Sequence, residues 1–158
     1  MSVESNVVDQ EGQLLALEPR LRRAFVARFG WPDGLDVCAD VMEWAWGHRD
    51  ELVGMQNPAG YLYRVGLTRA RRLIRWRRDQ GRLPVEIVAE TGIGWSEPAL
   101  ASALDRLDRE VRTAIVLVHC FQWSYAEVAE LIDEPVHTIR NRVHRGMKVL
   151  RQKLGVEK

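Results

Sequence analysis

Apolar residues in this chain return every three or four positions, and no stretch alternates apolar with polar side chains. A half-buried strand needs a period of two and a helix a period of 3.6, so the pattern restricts the fold to the all-α class. Leu14, Leu17, Leu21, Phe25 and Phe29 trace a first helix that ends near Gly30. Pro19 fits poorly inside a helix, so the regular part is expected to begin there. Asp33, in the turn that follows, is a candidate cap for a second helix over 35–46, with Val37, Val41, Trp44 and His48 along one side. A third begins after Asn57-Pro58 and runs to about Arg78, with Leu62, Val65, Arg69, Leu73 and Trp76 on its inner side.

Gly81, Pro84, Gly92, Gly94 and Pro98 then interrupt every helical pattern, which reads as a linker over 79–98. Fully extended, about 20 residues reach roughly 65–70 Å. The expected organisation is therefore two helical domains, 1–78 and 99–158. With 158 residues and a hydrophobic fraction of 46%, each core must be small.

In the second half, a short helix over 99–107 precedes one over 109–120 that Asp108 can cap. Ser124 and Glu127 have the spacing of a capping box at the head of a helix carrying Val128, Leu131 and Ile132. Asp133-Glu134-Pro135 breaks the chain. A last helix follows with Val136, Ile139, Val143, Met147 and Leu150 as its apolar side. A short capped helix, a tight turn and a basic amphipathic helix make a helix-turn-helix.

The net charge is only +1, but it is unevenly distributed. Residues 1–60 carry a net −5, residues 61–82 a net +7, residues 83–110 a net −4 and residues 111–158 a net +3. Segregation on this scale marks interaction surfaces rather than general solubility. Arg64, Thr68, Arg71, Arg72, Arg75 and Arg78 form one basic stripe on the third helix. Tyr61, Tyr63 and Trp76 are interleaved with it. Guanidinium groups hold phosphates and aromatic rings stack on unpaired bases. The last helix holds Arg140, Arg142, Arg145, Lys148, Arg151 and Lys153 and no acid before residue 155. Asp36, Asp40 and Glu43 make an acidic stripe on the second helix, a pattern that ordinarily marks a solvated face.

Other classes find little support. Charged residues interrupt every apolar run before the roughly 18 residues of a membrane span, so no membrane insertion is expected. The first five residues lack the basic and apolar character of a secretory signal, which points to the cytoplasm. Cys38 and Cys120 belong to no CxxC pair and read as buried structural thiols. The histidine spacing offers no metal site. There is no glycine-rich phosphate loop and no acid, base and nucleophile set, so neither enzyme activity nor a cofactor is expected.

Residues 104–151, and within them SYAEVAEL (124–131) and PVHTIRNRVHRGMKVL (135–150), closely resemble region 4 of the sigma-70 family. The specific resemblance is to its two-domain extracytoplasmic-function sigma factors. LDVCADVMEWAW (35–46) and NPAGYLYRVGLTRARRLIRWRRD (57–79) resemble region 2 of the same family. The resemblance implies an alternative sigma factor that binds core RNA polymerase and directs initiation at particular promoters. It implies that the helix bearing Asp36, Asp40 and Glu43 docks on the polymerase. Tyr61, Arg64, Thr68, Arg71, Arg72 and Arg75 would meet the −10 element. Arg140, Asn141, His144 and Arg145 would read bases of the −35 element, with Lys148 and Arg151 on phosphate. An anti-sigma factor is a further partner the family suggests. The two DNA-reading helices must then stand about 25 base pairs apart, on the order of 85 Å.

Several positions depart from the family pattern. Tyr61 replaces a usual Trp, Thr68 a usual Asn, Ala39 a usual Gln, and Arg72 stands where Asp is common. Glu134 and His137, at the start of the last helix, would alter promoter choice. Two other readings fit part of the pattern. One is a dimeric helix-turn-helix regulator independent of polymerase, against which the acidic helix and the region 2 resemblance speak. The other is a sigma-like mimic that binds a regulator, which Thr68 and Arg72 leave open.

Overall fold

The protein was studied as a computed structural model that describes residues 2–79 and 98–156, and within them it is helical with no strand. Helix α1 spans Ser2–Phe29 and continues through Pro19, where the sequence had suggested a start. An interior proline costs a helix about 3 kcal/mol or more. Burial on both sides of it offsets that cost, because Leu14 precedes Pro19 and Leu21, Ala24 and Phe25 follow it, all inside the core. Tertiary packing of an apolar face, not local propensity, holds most helices together.

Gly30 ends α1 in the left-handed region (φ 78°), and its N–H donates to the Val26 carbonyl at 2.8 Å. Helix α2 is Asp33–Gly47. Its N-cap position is Pro32, with no side-chain cap bond, and Asp33 is the first helical residue. There its charge suits the positive end of the helix dipole, but it is not the cap that was expected. Gly34 lies against α1 so closely that a Cβ would stand 2.5 Å from the Val26 backbone. Residues Arg49–Leu52 form a one-turn helix, α3, that the periodicity did not announce.

Helix α4, Pro58–Asp79, starts with proline where its missing N–H costs nothing. The side-chain oxygen of Asn57 accepts from the Gly60 N–H at 2.8 Å. Its inward face is Ala59, Leu62, Tyr63, Gly66 and Ala70, while Val65 and Arg69 are only half-buried. The face is rotated from the expected one because Gly66 lets α4 approach Phe25. The Tyr63 ring stacks on Phe25 at 5.5 Å, and a Cβ on Gly66 would meet Phe25 at 2.1 Å. A hydrophobicity pattern gives glycine no weight, so it misses such a contact. Side chains from Trp76 to Asp79, and the greater part of the expected linker (80–97), lie outside the described residues.

In the second half, α5 is Pro98–Asp105 and α6 is Arg109–Ile115. The side chain of Asp108 accepts from the Glu110 N–H, as expected. Helix α6 continues into a π-helical segment, Val116–Cys120. Helix α7, Tyr125–Ile132, opens with the full capping box: Ser124 accepts from the Glu127 N–H and Glu127 accepts from the Ser124 N–H. Asp133 closes it in the left-handed region, at φ 61°. Helix α8 is Val136–Leu154. Ile139, Val143 and Leu150 are buried as expected, but Val136 is 40% exposed. Gly146 sits on Val111 and Ile115, where a Cβ would come within 2.5 Å of both.

The two sets of helices touch. Helix α1 packs on α6 and the π segment, and α4 packs on α7. Cys38 is buried and its thiol is pushed up to about 12, chiefly by desolvation. Cys120 is half-buried and is raised by the same cause, so only the first thiol is fully in the core. No helix among the described residues is long and apolar enough to cross a membrane.

Candidate nucleic-acid interface

The residues facing outward on α8 follow from those facing inward. Ile139 and Val143 seat the helix, and the 3.6-residue period turns Arg140, Asn141, His144, Arg145 and Lys148 to solvent, where all five are exposed. Arg151 and Lys153 extend the same basic surface. Together they present donors and acceptors of the kind that read base edges, followed by cations suited to phosphate.

Two further residues shape this surface. Tyr125, at the head of α7, lies under Arg140, with its ring centroid 5.8 Å from the guanidinium carbon. Arg142 belongs to the basic run by sequence but points inward. Its Nη2 stands 2.8 Å from Glu134 and its Nη1 3.9 Å from Glu110. The Nη1 group is buried without a hydrogen bond. Arg142 therefore ties α8 to the turn before it and to α6, and is withdrawn from the exposed basic face. Its position beside Ile139 on the helix wheel, at the edge of the buried face, could have indicated this.

On α4, Arg64, Thr68, Arg71, Arg72 and Arg75 are exposed along one stripe, as expected. Thr68 donates its hydroxyl to the Arg64 carbonyl at 3.2 Å. Tyr61 is half-buried, its ring 6.1 Å from that of Trp44. Tyr63 is 3% exposed, which removes it from the set of rings available for stacking on bases. Burial also pushes its phenol up to about 12.

The acidic stripe on α2 is not uniform. Glu43 is exposed, while Asp36 and Asp40 are half-buried. Asp40 accepts from Arg69 Nε and from Arg69 Nη2, the latter at 2.9 Å. That bidentate contact accounts for an arginine on the inner side of α4, and it holds the Asp40 carboxyl below its ordinary range. The expectation that Asp40 stands free on the surface is corrected: its carboxylate also joins α2 to α4. Among the described residues no group of three candidate ligands could hold a metal ion.

Comparison with known proteins agrees with this geometry. Residues 98–150 match the sequence profile of the family described as Sigma-70, region 4. A stretch of 49 residues is 39% identical to the ECF RNA polymerase sigma factor SigW of Bacillus subtilis (strain 168). It covers 31% of this chain and 26% of that protein. The fold resembles that of the sigma factor RpoE, solved in complex with the anti-sigma factor NepR from Bartonella quintana. That match has a TM-score of 0.63 and 23% identity over 95% of this chain and 99% of that one. It also resembles CnrH, solved in complex with the cytosolic domain of CnrY, with a TM-score of 0.52 and 25% identity over 98% and 88% of the two chains. The capped helix-turn-helix thus lies in a stretch that matches Sigma-70, region 4, and the chain as a whole resembles the sigma factor RpoE in fold.

Proposed function

We propose that this chain binds core RNA polymerase and directs it to particular promoters, with no catalytic site of its own. Residues 1–78 act as the region 2 domain, 79–98 as a linker and 99–158 as the region 4 domain. The observation that carries the reading is the face of α8, where Arg140, Asn141, His144, Arg145 and Lys148 project outward from a buried apolar ridge behind a fully capped α7. In the major groove such a helix reads the −35 element. The exposed stripe of α4 from Arg64 to Arg75, with the half-buried Tyr61 at its head, takes the −10 element and its unpaired strand. Glu43, with Asp36 beside it, offers the polymerase an acidic surface. An anti-sigma factor is a further partner, supported by the protein bound to RpoE in the related structure. The site of action is the cytoplasm, where template and polymerase are.

Substitutions on α8 test this directly. Arg145→Ala should cost about 1–3 kcal/mol and relax preference at one −35 position. Lys148→Ala should weaken all sequences alike and lower the salt slope by about one unit. Transcription and binding with core polymerase across a −35 library, at two salt concentrations, separate the two. A uniform loss for Arg145→Ala would remove it as a base reader. No polymerase-dependent transcription from any promoter in a genomic library would overturn the assignment itself.

A further inference from the structure

Arg140 differs from the other arginines around the helix-turn-helix in what holds it. Arg142, in the next turn, pairs with Glu134 and faces Glu110. Arg20 lies over the Trp123 ring, 5.3 Å from its centroid, yet it also donates to Glu130 and to the Glu127 carbonyl. Arg140 is exposed, and its guanidinium carbon lies over the Tyr125 ring, 5.8 Å from the centroid. Among the described residues no carboxylate or carbonyl accepts a hydrogen bond from it.

The acids within reach in sequence are engaged elsewhere. Glu127 accepts from the Ser124 N–H and hydroxyl, and Glu130 pairs with Arg20. Asp133 pairs with Arg64, and Glu134 with Arg142. The difference matters because the donors of an arginine lie along the edge of its plane. A carboxylate occupies that edge. An aromatic ring attracts the cation over its face and leaves the edge open. Reading a base in the major groove takes two such donors at once, against a base that presents two acceptors.

The ring is placed by local structure that does not depend on Arg140. Tyr125 is the first residue of α7, directly after the Ser124 of the capping box. It is half-buried against the core, so one side of the ring is packed. Val128 and Leu131 of α7 and Ile139 and Val143 of α8 are buried, and Asp133 in the left-handed region sets the turn between the helices. Ring and Arg140 backbone are therefore held at a fixed separation. A long exposed side chain ordinarily loses rotamer freedom on binding, which weakens the complex. A ring that already holds the guanidinium removes part of that loss.

We propose that Tyr125 is a positioning residue for base reading. Its ring holds the Arg140 guanidinium by the face and presents the edge donors to a base with two acceptors, as guanine has, in the −35 element. This role rests on the promoter-recognition reading of α8, although the contact itself exists without DNA.

Tyr125→Phe keeps the ring and removes the hydroxyl, whereas Tyr125→Leu and Tyr125→Met remove the ring and keep apolar bulk. NMR of the full chain without DNA checks the contact. The Arg140 δ protons should carry an upfield ring-current shift in the parent and in Tyr125→Phe, and lose it in the other two variants. Binding with core polymerase across a −35 library, at two salt concentrations, checks the consequence. Tyr125→Leu and Tyr125→Met should reduce the preference at one −35 position about 2- to 5-fold, the range an exposed cation–π contact supplies. Other positions and the salt slope should not change, and Tyr125→Phe should keep the parent's preference. In an Arg140→Ala background, Tyr125→Leu should have no further effect at that position. A parent without the ring-current shift overturns the contact. A preference that Tyr125→Leu leaves unchanged, or an effect that persists without Arg140, overturns the positioning role. A uniform loss in both ringless variants would show that Tyr125 only supports α7, and overturns it as well. A uniform loss in Tyr125→Phe with a shallower salt slope would make the hydroxyl a phosphate contact instead. A parent with no preference at any −35 position would overturn base reading by α8 itself, and the role of Tyr125 with it.

Discussion

Asp40 and Arg69 lie 29 positions apart and meet through two parallel hydrogen bonds. A fork of this kind is the strongest geometry an arginine offers a carboxylate. Each side chain is more than a third exposed, so solvent screening keeps the coupling below about 1 kcal/mol. Arg69 holds the Asp40 carboxyl below its ordinary value of 3.8. A depressed carboxylate contributes stability that is complete above that value and is lost as the pH falls through the lower, folded-state value. A double-mutant cycle of Asp40→Asn and Arg69→Ala, followed by urea unfolding, should therefore show coupling at neutral pH that shrinks below about pH 4. Strict additivity at neutral pH would show that the pair is only a surface contact. The finding also affects how the acidic stripe is tested: reversing Asp40 perturbs the α2–α4 contact as well as any docking surface, whereas Glu43 is exposed.

Among the elements, α1 and α2 depend on one backbone approach. An added methyl at Gly34 has nowhere to go, because the nearest atoms are Val26 backbone and not the flexible end of a side chain. Gly34→Ala should cost about 1–3 kcal/mol, the usual scale for overpacking a tight contact. A methyl added at Gly47, in the last turn of the same helix, would meet nothing within 4 Å. There Gly47→Ala should be neutral or stabilise by up to about 1 kcal/mol, by restricting the unfolded chain. Thermal unfolding of the two variants should move in opposite senses. Equal losses would show that the α1–α2 approach is not what Gly34 serves.

At the scale of the whole molecule, the two halves are read from sequence as separate domains, yet the structure packs them together. Both statements can be tested on one protein. A protease recognition sequence inserted between residues 80 and 97 allows the chain to be cut after folding. The halves should then co-elute at low salt, because charged contacts join them. They should separate toward about 1 M salt, where the Debye length falls to about 3 Å. Halves that elute apart at low salt would show that the contacts are too weak to matter. Halves that stay together at high salt would show that apolar packing, not the charged contacts, holds them.

The local elements were legible in the sequence because each rests on near-neighbour chemistry. The Ser124–Glu127 capping box, the Asp108 cap, the break at Asp133–Pro135 and the outward set on α8 all follow from residues within one or two turns of one another. What sequence periodicity misjudged depends on distant partners. Pro19 is carried inside α1 by a core formed with other helices. Tyr63 is turned inward by Phe25 through the space Gly66 leaves. Asp40 and Arg142 are drawn off their charged stripes by Arg69, Glu110 and Glu134. Periodicity reports which face of a helix is apolar, but it cannot weigh a glycine or see a counter-ion 29 residues away. Nor can it show that α7 rests on α4, because residues that meet there, such as Asn57 with Glu130 and Arg64 with Asp133, are far apart in sequence. The helices and the exposed basic face of α8 were determined by the sequence alone, through local hydrogen bonding and 3.6-residue periodicity; the rotation of α4, the partners of the buried charges and the packing of the two halves were decided only by tertiary structure.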